Sequence, residues 1–287
     1  MKKLIAAALT GAMAAAFCVP AMAEDGKLIM ATNATFPPYE YYDADKQIVG
    51  IDAEVAGLIA DKLGLELEIA DMEFDSIIAA VKQGKADIGM AGITITEERK
   101  KNVAFTDTYT TATQMIIVQE GSPIASPEDL KDVKVGVQTG TTGDLYVSDL
   151  AEDGVEVMQF SKGIDAVIAL TQGKVDAVVI DGEPAKVFVE ENEGLVLLDE
   201  AFTEEEYAIA VAPDNEELLE QINTALAELE ESGELQAVID KYISGGSAEE
   251  ETEAAEEETT EAAEEETTEA ATEAAEEETT EAASEAE

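Results

Sequence analysis

The single arginine of this chain is its most specific sign of chemistry. Arg99 is the only arginine among 16 basic residues, in a sequence that also carries 66 Asp and Glu residues. A guanidinium offers two parallel N–H donors that match a carboxylate, which the ammonium group of lysine cannot do. We therefore expect Arg99 to bind a carboxylate. The alternative is a solvated arginine on a helix surface, and composition alone favours neither.

The residue types that are missing exclude several classes of chemistry. The sequence has no His and no Trp, and its one cysteine, Cys18, lies close to the amino terminus. Beyond that segment no residues remain for a disulfide, a thiol nucleophile, a histidine-based triad or an ordinary zinc site. Carboxylates, lysines, tyrosines and hydroxyls are left for chemistry. We expect neither a metal nor a cofactor.

Residues 1–23 predict a secretory signal peptide. Lys2 and Lys3 precede an apolar run, and a small-x-small cleavage site ends the segment. Cys18 follows Phe17, whereas a lipid-modified cysteine usually follows a small residue. We therefore expect a periplasmic, extracytoplasmic protein that is secreted without a lipid anchor.

Residues 247–287 form an acidic tail of low complexity. A Thr-Glu-Ala-Ala-Glu-Glu-Glu-Thr unit begins at Thr252, Thr260 and Thr272, and the tail has no aromatic or large aliphatic residue. Repulsion among the glutamates opposes a helix, and such a segment cannot build a core. We expect it to be disordered, either as a solvating segment or as a cell-wall spacer or loose cation buffer. Because the whole chain has a formal net charge of −50, nucleic acid and anionic membranes are not expected partners.

Short apolar runs alternate with helical patterns between these two ends, which is typical of α/β folds. The first helix is predicted to be capped by Asp52 and to end at Gly64. The pattern predicts strands at 28–31, 65–69, 87–91, 113–118, 133–137, 155–160 and 176–180, and further helices at 76–82, 142–150 and 165–172.

Two segments repeat one local pattern. Residues 80–88 and 169–177 each predict the end of a helix, a Gln-Gly-Lys turn and the start of a strand. Extending this register makes Gly92 equivalent to Asp181, each just beyond the carboxyl end of its strand. Ligands of open α/β sheets bind at that edge, so both positions are candidates for a binding site. Chance similarity at a common helix–turn–strand junction is the alternative.

Six motifs in a fixed order carry a resemblance to a known family. They are ATNATFPPYEY from residue 31, GID from 50, MEFDS from 72, AGITITEER from 91, VQTGTTG from 137 and DAVVID from 176. Together they make the chain similar to the extracytoplasmic polar amino-acid-binding proteins of ABC importers, bacterial solute-binding protein family 3. The resemblance implies an α/β periplasmic-binding-protein fold with two lobes, two hinge strands and the ligand in the cleft between the lobes. It implies lobe 1 at 24–111 and 206–246 and lobe 2 at 112–205.

The resemblance also implies how the cleft would bind the α-carboxylate of an amino acid. Arg99 would bind it bidentately, helped by the Thr94 hydroxyl and by backbone N–H groups near Gly92 and Thr94. Thr142, next to Thr141 at a helix start, would offer its hydroxyl and N–H from the opposite lobe, because helix N-termini favour anions. Without the resemblance, ordinary helix capping is the simpler interpretation of this Gly-Thr-Thr-Gly turn.

The rest of the ligand would meet a second group of residues. The resemblance implies that Asp181 accepts the α-ammonium, that Phe36 and Phe74 sandwich the side chain and that Asn33 meets its polar tip. Core packing is an equal alternative for the two phenylalanines. Family members that bind cationic amino acids often carry an acidic residue in place of Asn33, so a neutral ligand such as glutamine gains slightly. Gln138 replaces the lysine or apolar residue of some members, and its preference stays open.

These observations predict a protein that captures a polar amino acid between two closing lobes and delivers it to an ABC transporter. Its partners would be the amino acid and the permease subunits in the membrane, and we expect a monomer. One alternative is a secreted dehydratase-like enzyme on the same fold, in which a carboxylate such as Asp181 would act as a general acid or base. Another is an interaction protein whose lobes present the acidic tail.

Overall fold

A computed structural model describes residues 26–243 of the chain. The predicted signal peptide at 1–23, with Cys18, and the predicted acidic tail at 247–287 lie outside the described residues, so both stay predictions. Within the described part, no helix has the length and apolar character that a membrane span requires.

The described residues form alternating strands and helices, as the sequence pattern predicts. The strands are β1 (Lys27–Thr32), β2 (Thr35–Phe36), β3 (Glu40–Tyr42), β4 (Ile48–Val49), β5 (Glu66–Asp71), β6 (Ile88–Gly89), β7 (Ala104–Gln119), β8 (Lys134–Gln138), β9 (Glu156–Phe160), β10 (Ala177–Asp181), β11 (Leu195–Leu197) and β12 (Thr203–Val211). The α-helices are α1 (Ile51–Leu63), α2 (Phe74–Lys82), α3 (Thr142–Asp149), α4 (Gly163–Thr171), α5 (Gly182–Glu191), α6 (Glu216–Ser232) and α7 (Glu234–Ile243). Short 3₁₀ helices lie at Arg99–Lys101, Pro127–Asp129 and Leu150–Asp153.

The fold has two lobes that share one mixed sheet. Its strand order is β5-β1-β6-β12-β7-β10-β8-β9, with β11 beside β7, and β2, β3 and β4 form a separate small sheet. Lobe 1 carries β5, β1 and β6, and lobe 2 carries β10, β8 and β9. The long antiparallel strands β7 and β12 connect the two groups, with Thr203 opposite Gln114 at one end and Val211 opposite Ala104 at the other. They are the two hinge strands of the predicted architecture.

The predicted lobe boundaries fall at one level of the hinge. Thr111 pairs with Glu206, and Ala112 pairs with Glu205, so the two predicted crossing points lie opposite each other. The register becomes irregular one residue later, between Tyr207 and Ala208. Such an irregularity locally bends a strand. The boundaries themselves remain our proposal.

Burial explains why the apolar residues are patterned differently in the strands and in the first helix. β8 and β10 are covered on both faces, and Val135, Val137 and Val178 are fully buried within them. Interior strands of a parallel group accordingly have near-continuous apolar runs, as the sequence at 177–180 does. In α1, by contrast, Val55 and Ile59 are fully buried while Asp61 and Lys62 are exposed, as expected for an amphipathic helix.

The predicted repeat is present in the backbone as well as in the sequence. Gly84 and Gly173 end the two helices with φ angles of 67° and 65°, the left-handed region that glycine adopts without strain. Asp87 and Asp176 each accept a 2.8 Å hydrogen bond from a backbone N–H of the neighbouring strand. Both lobes therefore place a helix, a turn and a strand in the same way. The strand after the first turn, β6, is shorter than predicted.

The predicted role of Asp52 as a helix cap is wrong. Gly50 is the residue before α1, with φ 123° and no side-chain cap. A Cβ on Gly50 would come within 2.3 Å of the Tyr39 carbonyl oxygen, which explains why a capping side chain is absent there. Asp52 turns inward instead, fully buried, and its carboxylate accepts hydrogen bonds at 2.8 Å from Gly92 N–H and from the Tyr109 hydroxyl. Gly64 ends the helix in a left-handed conformation as predicted.

Candidate functional site

A narrow cleft lies between the two lobes, and its volume of about 10 Å³ is roughly the room that one water molecule needs. Loops that follow β1, β6, β8 and β10 reach it from the carboxyl ends of these strands, the edge at which α/β sheets bind ligands. Its lining consists of Asn33, Phe36, Glu40, Phe74, Ala91, Gly92, Thr94, Arg99, Gln138, Thr141, Thr142 and Asp181. All ten residues proposed from the sequence therefore meet at one place, together with Glu40 and Ala91.

Arg99 is buried in the wall of this cavity, so the solvated-surface interpretation is wrong. Only 8% of the residue is exposed, because the 3₁₀ helix Arg99–Lys101 turns its side chain toward the cleft. Nη1 donates to the Thr94 carbonyl oxygen at 2.6 Å, and Nη2 donates to the Gly140 carbonyl oxygen of lobe 2 at 3.1 Å. The guanidinium carbon lies 5.4 Å from the centre of the Phe74 ring. These contacts hold the plane of the guanidinium fixed and join the two lobes.

Burial and nearby charges shift the pKa of Arg99 in opposite directions. Burial lowers the pKa of its guanidinium, while the charges of Glu205 and Asp181 raise it. Arginine stays protonated in proteins under all ordinary conditions, so the cavity contains one fixed positive charge. Among the residues that line the cavity, Arg99 alone is basic.

The two threonines of the Gly-Thr-Thr-Gly turn have different tasks. Thr141 is the N-cap of α3: its hydroxyl oxygen accepts from Asp144 N–H at 3.2 Å, and the hydroxyl donates to the Gln138 carbonyl oxygen at 2.8 Å. Thr142 follows as the first helical residue and lines the cleft. Capping is thus the role of Thr141, whereas the Thr142 hydroxyl donates to a carboxylate of β12.

Glu205 of the hinge strand β12 occupies a position that sequence analysis did not assign. Its Oε2 atom accepts hydrogen bonds from Thr94 Oγ1 at 2.7 Å, from Thr142 Oγ1 at 2.9 Å and from Gln114 Nε2 at 3.2 Å. Glu205 is 6% exposed and Gln114 is fully buried. A carboxylate of the protein therefore sits on the hydroxyl groups that the family resemblance assigns to the ligand.

Asp181 lies at the carboxyl end of β10, directly before α5. Tyr207 of the hinge strand donates its hydroxyl hydrogen to Asp181 Oδ1. Burial raises the pKa of Asp181 to about 7, and the charge of Glu205 contributes to the same direction. Asp181 can therefore change its protonation near neutral pH, and its ionised form can accept an ammonium group.

The glycine at the equivalent position, Gly92, serves the geometry of the loop. Its φ of 55° is in the left-handed region, and a Cβ there would come within 3.1 Å of the Phe36 and Tyr207 rings. Its N–H donates to Asp52, so it is not available to a ligand carboxylate as expected. Gly92 contributes close packing and a fixed loop rather than a donor.

Beneath this loop lie two carboxyl groups that share a hydrogen bond. Burial raises the pKa of Asp52 to about 6. The pKa of Glu40 rises well above its usual range, chiefly through burial and then through the charge of Asp52. Their hydrogen bond raises the pKa of Glu40 and lowers that of Asp52, so Glu40 is the carboxyl group that donates the shared proton.

An amide pair closes the opposite end of the cavity. Gln138 Nε2 donates to Asn33 Oδ1 at 2.9 Å across the cleft, and also to the Ser161 carbonyl oxygen at 3.2 Å. Asn33 in turn donates to the Met72 carbonyl oxygen at 2.8 Å and accepts from the Thr35 hydroxyl at 3.0 Å. Both amide groups are held rigidly, so the side chain of a ligand meets fixed polar atoms here.

The two phenylalanines form apolar walls. Phe36 is 7% exposed and stacks on Tyr39 with the ring centres 5.9 Å apart. Phe74 begins α2 and lies under the Arg99 guanidinium. Each ring thus packs against the protein on one side and lines the cavity, so the core and the pocket interpretations both apply.

Sequence signals for the missed residues were weak. Glu205 alternates with Tyr207 along β12, so the period of two places both on the inner face, while Glu204 and Glu206 are exposed. Gln114 directly precedes the apolar run at 115–118 in a strand that is otherwise rich in threonine. Glu40 lies within the first motif, where no local feature indicates a role for its carboxyl group. Each gains its role from a partner far away in sequence, which pattern analysis cannot identify.

Comparisons with known proteins agree with this geometry. The family described as bacterial extracellular solute-binding proteins, family 3, matches residues 28–245. The arginine-binding extracellular protein ArtP of Bacillus subtilis is 38% identical over 248 residues, which cover 84% of this chain and 96% of that protein.

Two solved structures add detail to the comparison. An ancestral arginine-binding protein bound to arginine is 44% identical with a TM-score of 0.73, covering 76% of this chain and 98% of its own. An ancestral arginine-binding protein bound to glutamine is also 44% identical, with a TM-score of 0.74, covering 77% of this chain and 99% of its own. The chain is therefore similar, in sequence and in fold, to proteins that hold an amino acid between two lobes.

Proposed function

The chain belongs to the bacterial extracellular solute-binding proteins, family 3, and from this membership we propose that its cleft binds L-arginine. A protein of this kind captures an amino acid outside the cytoplasm and delivers it to an ABC importer. The proposal extends to the signal peptide, to a periplasmic location without a lipid anchor, to permease subunits as partners and to a monomeric state.

The charge of the cavity is the single observation that carries the choice of arginine. Arg99 contributes one positive charge to the cavity, ionised Asp181 contributes one negative charge, and the Glu205 carboxylate behind the wall contributes a second. A ligand with net charge +1 balances this set, and a neutral ligand leaves one buried negative charge uncompensated. The side-chain oxygen of Gln138 suits an N–H donor of a guanidinium. Similarity to arginine-binding proteins supports the same choice.

The ligand would lie with its zwitterion near the hinge and its side chain toward the amide pair. Arg99 and the Thr142 backbone N–H bind the α-carboxylate, the latter at the N-terminus of α3. Asp181 accepts the α-ammonium from lobe 2. Phe36 and Phe74 cover the methylene groups of the side chain, and its polar end reaches Asn33.

Thermal shift against the twenty amino acids tests this assignment. A ligand at about 100 times its dissociation constant adds about 2.7 kcal/mol of stability, which is several degrees in Tm for a protein of this size. We expect L-arginine to give the largest shift and to bind at least about tenfold more tightly than L-glutamine in calorimetry. Equal or tighter binding of L-glutamine would contradict arginine as the ligand, while no shift with any amino acid would contradict amino-acid capture.

The two alternative functions have their own tests. The relatives described above are binding proteins, and an enzyme on this fold would alter its substrate, so recovery of unchanged arginine after incubation supports capture. An interaction protein that presents its tail would lose function when residues 248–287 are removed. We expect this truncation to leave arginine affinity within about twofold, because a segment without large apolar residues cannot contribute to the core.

A further inference from the structure

We infer that Glu205 competes with the α-carboxylate of the ligand for the same hydroxyl donors and thereby limits how strongly the cleft selects for that carboxylate. The inference rests on the proposed function, since it concerns the same amino-acid site. It assigns a specificity role to a residue of the hinge strand that lies behind the cavity wall.

The position of Glu205 is set by the hinge. It pairs with Ala112 in the ladder between β12 and β7, so its backbone cannot move without opening the two strands. The alternation of β12 turns its side chain inward, where only 6% of the residue is exposed. Its carboxylate is therefore held at the junction of the two lobes rather than free to turn into solvent.

The hydroxyl donors that Glu205 uses cannot serve two anions at once. A threonine hydroxyl has a single hydrogen to donate. Thr94 directs this hydrogen to Glu205 Oε2 from lobe 1 at 2.7 Å, and Thr142 does so from lobe 2 at 2.9 Å. A ligand carboxylate that gains these two hydrogen bonds must take them from Glu205.

Repulsion between the two carboxylates adds to this competition. A ligand carboxylate beside Arg99 and Thr142 would lie next to a second negative charge in a buried environment, where like charges repel strongly. The charge of Glu205 already acts across this space: it adds to the burial that raises the pKa of Asp181, and it opposes the burial that lowers the pKa of Arg99. The Tyr146 hydroxyl also lies against this carboxylate, and its pKa is raised by burial and by the charge of Glu205.

The test compares L-arginine with agmatine, which is arginine without its carboxylate. Agmatine has a net charge of +2 and arginine of +1, so the loss of a negative charge near the cleft weakens agmatine somewhat more in any case. The matched control measures this general effect, and only a rise beyond it reports the competition. Glu205→Gln keeps the size of the side chain and removes its charge. Glu204→Gln is the matched control, because it changes the same charge on the exposed neighbouring residue of β12. Dissociation constants of both ligands are measured by calorimetry for the wild type and both variants of the mature chain.

We expect the ratio of the agmatine to the arginine dissociation constant to rise at least about tenfold in Glu205→Gln, because the arginine carboxylate no longer meets a competing charge. Glu204→Gln should keep this ratio within about twofold of wild type. An unchanged or lower ratio in a folded Glu205→Gln protein would overturn the inference. Should that variant fail to fold, Glu205→Asp, which withdraws the carboxylate from the hydroxyls, takes its place, and again an unchanged ratio overturns it.

Failure of the proposed ligand gives a different result from failure of this inference. If wild-type protein binds neither arginine nor agmatine but does bind L-glutamine, arginine is the wrong ligand. The same ratio is then measured with L-glutamine and 4-aminobutanamide, its decarboxylated amine. A rise in that ratio supports the competition by Glu205, and an unchanged ratio contradicts it.

Discussion

Asn33 and Gln138 occupy equivalent positions in the two lobes and are hydrogen-bonded to each other at 2.9 Å. The equivalence follows from register: Met30 of β1 pairs with Ile88, and Val135 of β8 pairs with Ala177, which the repeat makes equivalent to Ile88. Three residues beyond each pair lie Asn33 and Gln138. The two lobes therefore contact each other across the cleft through equivalent residues at the ends of equivalent strands.

This contact predicts coupling between the two residues in ligand binding. Asn33→Ala, Gln138→Ala and the double variant form a cycle whose interaction term isolates the pair. We expect a coupling of about 0.5–3 kcal/mol in the free energy of arginine binding, measured by calorimetry, as for other residues in direct contact. Strictly additive effects would show that the hydrogen bond between the two side-chain amides is not formed in the arginine complex.

The raised pKa of Asp181 predicts that arginine affinity depends on pH. Asp181 has a pKa of about 7, and only its ionised form accepts an ammonium group. Below that pH, binding must displace a proton, so affinity should fall by up to about tenfold for each pH unit. Calorimetry between about pH 5 and pH 8 tests this. Asp181→Asn should bind weakly with a flat profile, and a steep profile in this variant would contradict the assignment.

The raised pKa of Asp181 has the opposite effect on the ligand-free protein: lower pH increases its contribution to stability. Because the pKa of Asp181 is higher in the folded than in the unfolded state, the folded state binds the proton more tightly. Its contribution to stability is present below about pH 4 and is lost as pH rises to about 7. Over this window Tm should therefore fall more steeply with pH in the wild type than in Asp181→Asn. Equal slopes would contradict the raised pKa.

The close packing around Gly92 predicts a steric cost for any side chain there. Gly92→Ala brings a Cβ within 3.1 Å of the Phe36 and Tyr207 rings, in addition to the strain of its left-handed backbone. Gly64→Ala carries similar backbone strain at φ 71° with no atom within 4 Å of the new Cβ. We expect Gly92→Ala to lower the free energy of unfolding by about 1–3 kcal/mol more than Gly64→Ala, because overpacking adds to strain. Denaturant titrations measure the difference, and equal losses would contradict the steric argument.

The divided roles of the two neighbouring threonines predict separable effects. Thr141→Val removes the cap of α3 and should cost about 1 kcal/mol of stability. Thr142→Val removes the hydroxyl that donates to the buried Glu205 carboxylate in the cleft wall, so it should lower arginine affinity more than Thr141→Val does. Thermal melts and calorimetry on both variants check this separation. A larger loss of affinity in Thr141→Val than in Thr142→Val would reverse the assignment.

Local patterns were sufficient to predict much of the fold. Helical periodicity placed α1 and its end at Gly64, and the Gln-Gly-Lys turns predicted two lobes built in the same way. These features depend on neighbours within a few residues, which a sequence displays directly. Six motifs in order then placed ten residues of the cavity, all of which line it.

The missed features depend on contacts between distant segments. Glu205 meets Thr94 over a separation of 111 residues, and Asp52 meets Tyr109 over 57. A carboxylate near a helix start predicts capping because that environment is local, whereas the burial of Asp52 beneath Gly92 exists only once the lobe is packed. Register in the hinge strands decides which glutamate of the run 204–206 faces inward, and no pattern within that run distinguishes it.

Calorimetry with Arg99→Ala and L-arginine tests the central claim most directly. Arg99 should bind the ligand carboxylate, and its loss would leave that charge unpaired in a closed cleft, at a cost of about 3–5 kcal/mol, or more than about a hundredfold in affinity. Arg99→Lys should recover only part of this, because the bidentate geometry is lost. Lys101→Ala, on the same 3₁₀ helix but exposed, is the control and should bind like wild type. If Arg99→Ala is folded by circular dichroism and still binds L-arginine within threefold of wild type, the account of the site is wrong.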